Sequence, residues 1–258
     1  VDERKKNCIL ATSHLAKLVS FAWWGTLYLC SAYSFTGKSP EWHSRIISLL
    51  HGTVGAVVGL SQCNILSVSL LRLTSECTVG HYALMLWSWG YFAIDLLWCL
   101  YYWTETALML GHHASAVISI SIYMQKQNTG CTFACCLAVM EITNPFLQVR
   151  WFLKTEGYDE TRFYRIIEIS YIFLFVTVRG VFGTYVLCKV LPCSDFHMEE
   201  KLILVIFYLV SIGFICDVFG FVTYKYRGFV VSSYQPPCST CVFIHLSKKR
   251  ALLSSRTR

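Results

Sequence analysis

The chain has 258 residues, of which 55% are apolar and only 14% charged, with a formal net charge of +7, and its mean hydropathy is +0.50. A soluble globule of this size could not carry that balance without exposing large apolar surface, so the water-soluble classes are excluded. Nucleic-acid binding is excluded as well, because no basic patch interleaved with aromatics lies on a soluble element. The positive charge falls in loops and tails, where it favours anionic lipid head groups or phosphorylated ligands.

In chain order, residues 1–17 form an N-terminal segment that opens on Asp2-Glu3-Arg4-Lys5-Lys6. A long apolar run follows with no small-residue cleavage site, so no cleavable signal peptide is expected. Apolar runs that span, or nearly span, a core of about 30 Å cover residues 18–35, 46–66, 82–103, 108–124, 131–152, 166–190 and 202–222. The predicted fold class is therefore all-α, a multi-pass transmembrane bundle of about seven helices over residues 18–222. The connections are brief, the longest lying around 67–81 and 153–165, so neighbouring helices are expected to pack antiparallel. Residues 223–258 mix Pro, Ser, aromatic and basic residues without a sustained period, and read as a basic, flexible tail.

Seven crossings place the two ends of the chain on opposite sides of the membrane. The Lys and Arg residues that flank the helices, Arg72 among them, divide almost evenly between the sides. The distal Lys248-Lys249-Arg250, Arg256 and Arg258 tip the balance towards a cytosolic C-terminus. Thirteen cysteines are present, and most, including Cys30, Cys63, Cys99, Cys135, Cys136, Cys188 and Cys216, fall in or at the ends of apolar helices, where a thiol behaves as a small hydrophobe. Cys77 and Cys193 fall in loops on one side and are open to pairing. Cys238 and Cys241 make a lone C-x-x-C after Pro236-Pro237, a weak zinc signal that lipid acylation explains equally well. The Trp and Tyr clusters at Trp23-Trp24, Trp87, Trp89 and Tyr101-Tyr102-Trp103 read as interfacial belts.

Ionisable side chains in hydrocarbon cost a few kcal/mol each on insertion scales, so those present should face the bundle interior and have partners. The chain places His51 on the second span, Asp95 on the third, His112 and His113 on the fourth, Glu141 with Asn144 on the fifth, Arg179 on the sixth and Asp217 on the seventh. Counting about 1.5 Å per residue from the helix ends that share the C-terminal side, all lie roughly 6–20 Å into the membrane. A shared polar cavity in that half of the bilayer is expected, lined by His51, Asp95, Glu141, Asn144, Arg179 and Asp217 beside the paired histidines. Simpler readings exist for several members. His51 beside Gly52 can hydrogen-bond across a close helix contact. Arg179 can serve as a charge partner for Glu141 or Asp95, and one of the two histidines can be a strut, since adjacent helical residues point about 100° apart. Pro145 is expected to kink the fifth helix and free carbonyls near the cavity.

The stretches Tyr91-Phe92-Ala93-Ile94-Asp95-Leu96-Leu97-Trp98, Leu110-Gly111-His112-His113 and Glu141-Ile142-Thr143-Asn144-Pro145-Phe146 with Arg150-Trp151-Phe152-Leu153 resemble the TLC-domain family, which includes the TRAM proteins and the ceramide synthases. The similarity runs from about residue 51 to the seventh span. It implies a helical bundle whose polar cavity handles acyl chains or lipids, resident in the endoplasmic reticulum. In the synthases the paired histidines are essential for moving a fatty acyl group from coenzyme A to a sphingoid amine, which implies a catalytic role for His112 and His113. The H-D-x-x-D element of those enzymes is replaced here by Met140-Glu141-Ile142-Thr143-Asn144, and the E-x-x-x-P-F and R-W pattern resembles the TLC domain-containing branch, which is associated with membrane lipid composition.

Three functions follow from that reading. The first is a lipid-homeostasis protein that binds acyl chains or membrane lipids. The second is an acyltransferase using acyl-coenzyme A as substrate, with no bound cofactor or metal. The third is a trafficking adaptor or transporter. The expected partners are lipids or acyl chains and no nucleic acid, with a homo-oligomer left open.

Overall fold

The computed structural model describes residues 2–63, 77–103, 106–126 and 128–234, and side chains from 13 to 227. Arg72, Pro236-Pro237, Cys238, Cys241 and the basic residues from Lys248 onward lie outside the described residues. Seven helices and no strand are found among those described. They are α1 (Asp2–Ser34), α2 (Pro40–Gln62), α3 (Val79–Tyr102), α4 (Ala107–Tyr123), α5 (Gly130–Thr155), α6 (Arg162–Val190) and α7 (Met198–Tyr234).

Five of these, α2, α3, α5, α6 and α7, are long and apolar enough to cross a membrane, while α4 is apolar but only 17 residues long. At 1.5 Å per residue α4 still rises about 26 Å, close to the hydrocarbon thickness. The chain is thus an all-α multi-pass membrane protein. It divides into two compact units, residues 1–215 and 216–258. The described part of the second unit is the C-terminal portion of α7, which continues as helix to Tyr234, past the position 222 at which the apolar run ends.

Local chemistry sets where the helices begin. Ser39 caps α2 by accepting from Trp42 N at 3.2 Å, and Pro40 occupies the first turn, where its missing N–H costs nothing. Thr78 and His81 form a capping box at the start of α3, while Thr106 and Thr161 cap α4 and α6. α5 is interrupted at Ile142, between helical stretches Gly130–Glu141 and Thr143–Thr155. Pro145 explains the break: it has no N–H for the carbonyl of Glu141, and its ring collides with that carbonyl.

Lipid tails are as apolar as leucine, so apolar burial does little to hold the bundle together; close packing and interhelical hydrogen bonds must do so. Both are present. A Cβ on Gly90 would lie 2.6 Å from the backbone of Ser20, and one on Gly52 would lie 2.7 Å from the side chain of Asn144, so α1 meets α3 and α2 meets α5 at near backbone contact. Trp24 Nε1 donates to the Trp87 carbonyl at 2.8 Å, Ser20 Oγ to that of Leu86 at 2.8 Å, and Trp89 Nε1 to Ser121 Oγ at 2.8 Å. Trp24 is 0% exposed and stands in the core with Met85, Tyr91, Ile120 and Ala134, whereas its neighbour Trp23 is 53% exposed. Trp24 is therefore a bundle residue and not part of an interfacial belt.

The cysteines depart from expectation. Cys63 at the end of α2 and Cys135 on α5 form a disulfide, and are not the inert apolar thiols that their setting suggested. Cys77 and Cys193, which their loop positions left open to pairing, are not bonded to each other. Loop position was the wrong guide, because the close approach of α2 and α5 brings two helical sulfurs together.

Candidate functional site

The polar residues of α2, α3, α4 and α5 form one buried network. Asp95 accepts from Ser44 Oγ at 3.2 Å and from Tyr91 OH at 3.3 Å, and its Oδ2 lies 3.2 Å from His113 Nε2. Tyr91 OH is also 2.8 Å from Ser48 Oγ, and its ring stacks on His51 with centroids 3.9 Å apart. His51 Nε2 is 3.2 Å from Ser88 Oγ, while its Nδ1 faces Glu141 Oε2 at 3.5 Å. Asn144 Nδ2 donates to Glu141 Oε2 at 3.2 Å and to the Ser48 carbonyl at 3.3 Å, and its own carbonyl accepts from Gln148 at 2.9 Å. Two histidine–carboxylate pairs, His113–Asp95 and His51–Glu141, thus stand side by side, bridged by Tyr91. The close helix contact at Gly52 is what lets Asn144 reach across to α2.

A cavity opens beside this network, within residues 1–215. Water-sized spheres can place their centres in about 100 Å³ of it, against the ~10–15 Å³ that a single water needs. Its lining is mostly apolar, with Phe92, Ala116, Ile120, Phe133, Leu137, Met140 and Phe207; His112, Glu141 and Arg179 supply its ionisable groups and Tyr123, Tyr208 and Ser211 further polar atoms. His112 is ringed edge-on by Phe92, Phe207 and Phe214 at 5.6–6.1 Å between centroids.

The two adjacent histidines consequently have different stations. His113 is paired to Asp95, and His112 faces the cavity. Of the residues expected to line a shared cavity, Glu141 and Arg179 do so. His51, Asp95 and Asn144 stand behind the wall, where they are already engaged with one another. Asp217, assigned to the same lining, lies in the second unit and is exposed.

Arg179 is presented by an irregularity that hydropathy does not reveal. α6 is α-helical over Arg162–Phe175 and Gly183–Val190, but a π-helical segment, Val176–Phe182, separates them with Arg179 at its centre. Such bulges rotate side chains out of helical register and recur at functional sites. Arg179 sits 5.5 Å from the Phe175 ring centroid, makes no ion pair within 4 Å among the described residues, and has no hydrogen-bond partner at Nε. Arg179 makes no direct ion pair with Glu141 or Asp95, but it is close enough to Glu141 for the two charges to attract each other across the cavity that both line.

Two further carboxylates escaped the sequence reading. Glu168, fully buried, accepts from Arg150 Nε at 3.0 Å and from Tyr164 OH at 2.7 Å. Glu200, also fully buried, accepts from His197 N at 2.7 Å and from Thr129 Oγ1. Both lie in the first two turns of their helices, and Glu200 carries the N-terminal signal of acid in a first turn. Among the described residues, two groups have the donor types and spacing to hold a metal ion: Asp95 with Cys99 and His113, and Cys63 with His81 and Cys135.

The fold and this network define a multi-pass membrane protein with a mostly apolar cavity, carrying ionisable groups, inside its bundle. The chain belongs to the TLC-domain family, whose domain matches residues 41–226. TLC domain-containing protein 4 A of Dictyostelium discoideum is 26% identical over 153 residues, which is 55% of this chain and 56% of that protein. The chain therefore spans about half the length of that relative. No solved structure matches the chain.

Proposed function

We propose that the protein binds acyl chains or lipids in the cavity of its bundle and through that binding influences membrane lipid composition. The observation that carries this reading is the make-up of the cavity: a mostly apolar lining that includes the ionisable groups of Arg179, His112 and Glu141. An acyl chain matches the wall, and a carboxyl, ester or phosphate group matches a guanidinium and an imidazole with unpartnered nitrogens. The endoplasmic reticulum, with the C-terminus in the cytosol, is the proposed setting. The Cys63–Cys135 disulfide supports that orientation, since it lies at the other end of the bundle, where an oxidising lumen would sustain it.

The test is capture of a photoactivatable fatty acid by the purified chain in lipid nanodiscs, with labelled residues located by mass spectrometry. Labelling is expected on the cavity wall. Ala116→Trp, which fills the cavity, should abolish it, and Arg179→Gln should weaken it about tenfold or more, the loss of one charge-assisted hydrogen bond. Equal labelling of all three proteins would sink the reading.

A second reading, acyl transfer from acyl-coenzyme A to a lipid amine, is favoured by one observation: the His113–Asp95 pair adjoins His112 on the cavity wall. In that chemistry an imidazole takes the proton of the attacking amine, the new C–N bond forms, and the C–S bond breaks to release the coenzyme A thiol. It requires turnover of acyl-coenzyme A with amine acceptors that His113→Ala and His112→Ala remove.

A further inference from the structure

A second cluster of reactive side chains lies at the opposite end of the bundle, away from the lipid cavity. Cys63 caps the end of α2, His81 stands in the first turn of α3, and Cys131 and Cys135 lie one turn apart at the start of α5. Cys63 and His81 are buried. The ligand atoms of Cys63, His81 and Cys135 lie within 4.8 Å of one another. His81 Nε2 is 3.7 Å from Cys135 Sγ and 3.7 Å from Cys131 Sγ.

Those separations can be set against a tetrahedral zinc site. With Zn–S of about 2.3 Å and Zn–N of about 2.0–2.1 Å, its sulfur–nitrogen edges are about 3.6 Å and its sulfur–sulfur edges about 3.8 Å. Both nitrogen edges measured here already match. The change required is that Cys63 and Cys135, now bonded to each other, part to ligand spacing, and that Cys131, which is at that spacing from His81 but outside the 4.8 Å group, closes on the other two sulfurs. Cys63, Cys131, Cys135 and His81 then make a Cys3His set, one of the common closed structural zinc combinations.

We propose that the reduced protein holds one zinc ion on Cys63, Cys131, Cys135 and His81, and that the disulfide is the metal-free form of the same site. A dithiol reductant supplies two electrons and two protons, the Cys63–Cys135 bond opens to two thiols, and the reductant leaves as its own disulfide. Zinc then displaces the three thiol protons and is bound by three thiolates and the neutral imidazole. The ring must offer Nε2 to the metal, with its proton on Nδ1. Thr78 Oγ1, 2.9 Å from Nδ1, accepts that proton's hydrogen bond and fixes the ring. In the disulfide form Thr78 N–H, 3.2 Å away, donates to Nδ1 instead, and the Nε2 hydrogen faces the sulfurs. The disulfide ties α2 to α5, while the zinc form would tie α3 to both.

The proposal is tested on the full chain purified in detergent, one portion left oxidised and another reduced with a phosphine that is then removed. Zinc is added, the excess is stripped, and bound metal is counted by plasma mass spectrometry. Cobalt(II) substitution reads the geometry through its thiolate charge-transfer and tetrahedral d–d absorption. About one zinc per reduced chain and none per oxidised chain is expected, with affinity at least tenfold lower in Cys131→Ser and in His81→Gln. Cys131→Ser keeps the Cys63–Cys135 bond, so its oxidised form controls for folding. A Cys238→Ser/Cys241→Ser variant should bind zinc as the parent does. A reduced chain that binds no zinc while its thiols titrate would overturn the proposal. So would binding that survives in Cys131→Ser and His81→Gln but is lost with Cys238 and Cys241.

Discussion

The two ends of the bundle treat buried polar groups in opposite ways. At the end that carries α4's N-terminus, polar side chains are gathered but incompletely matched: His112 Nδ1, His113 Nδ1, Gln148 Oε1 and Arg179 Nε are buried without a hydrogen-bond partner, and His51 Nδ1 has only the long contact of 3.5 Å to Glu141. At the other end Glu200 is enclosed by Thr129 and the His197 amide, and His81 by Thr78. An unmatched polar atom in hydrocarbon is costly. Two of the unmatched atoms, His112 Nδ1 and Arg179 Nε, belong to residues that line the cavity, which makes sense where a ligand completes the set, whereas a matched group such as Glu200 needs nothing further. Position alone is not the criterion, because Glu168, at the incompletely matched end, is fully engaged by Arg150 and Tyr164.

The comparison breaks if a carboxylate enclosed away from the cavity and one on the cavity wall respond alike to mutation. The largest effect is expected for Glu200→Ala, which leaves the Thr129 hydroxyl and the His197 amide without their acceptor. A loss of about 2–3 kcal/mol is expected, read as a clear drop in melting temperature in detergent, with lipid capture per folded molecule unchanged. Glu141→Gln should behave in the reverse way. The amide keeps the shape and an oxygen for Asn144 Nδ2, so stability should change by less than about 1 kcal/mol. Retention of a lipid bearing an amine or hydroxyl beside the cavity's ionisable groups should fall about tenfold, the worth of one charge-assisted contact. A Glu141→Gln protein that unfolds early but captures lipid normally would reverse the assignment of the two ends.

Much of this was legible in the chain because hydropathy and length decide membrane crossing almost alone. The seven apolar runs correspond to the seven helices, and Pro145 marks the break in α5. The intramembrane charges were equally legible, since their cost makes each one conspicuous, and His51, Asp95, His113, Glu141 and Asn144 come together as one network. What was not legible depends on rotation about a helix axis. That His112 faces the cavity while His113 meets Asp95 follows from helix packing, which spacing does not reveal. The π-helical segment around Arg179 has no sequence signal in Val176–Phe182 beyond the arginine itself. The Cys63–Cys135 bond required knowing that α2 and α5 approach closely, and Glu168 and Glu200 were passed over because they stand at the margins of apolar runs.

The smallest effect sharpens the comparison from outside the membrane. Lys126, between α4 and α5, pairs with Glu199 at the same end as Glu200. The Glu199 carboxylate beside it holds the ammonium above the ordinary lysine range. A raised folded-state value contributes stability that is fully present below the unfolded value and is lost as pH rises through the folded one. The contribution is therefore present at pH 7 and gone only in strongly alkaline solution. The Lys126 and Glu199 side chains are 25% and 55% exposed, however, and pairs in contact with solvent are screened and contribute little. Lys126→Met should therefore melt with the parent protein at pH 7 in 0.15 M salt, even though Glu199 and Glu200 are consecutive residues and Glu200→Ala is expected to unfold early. A Lys126→Met protein as unstable as Glu200→Ala would mean that charge at this end, and not enclosure of Glu200, is what holds α7 to the start of α5.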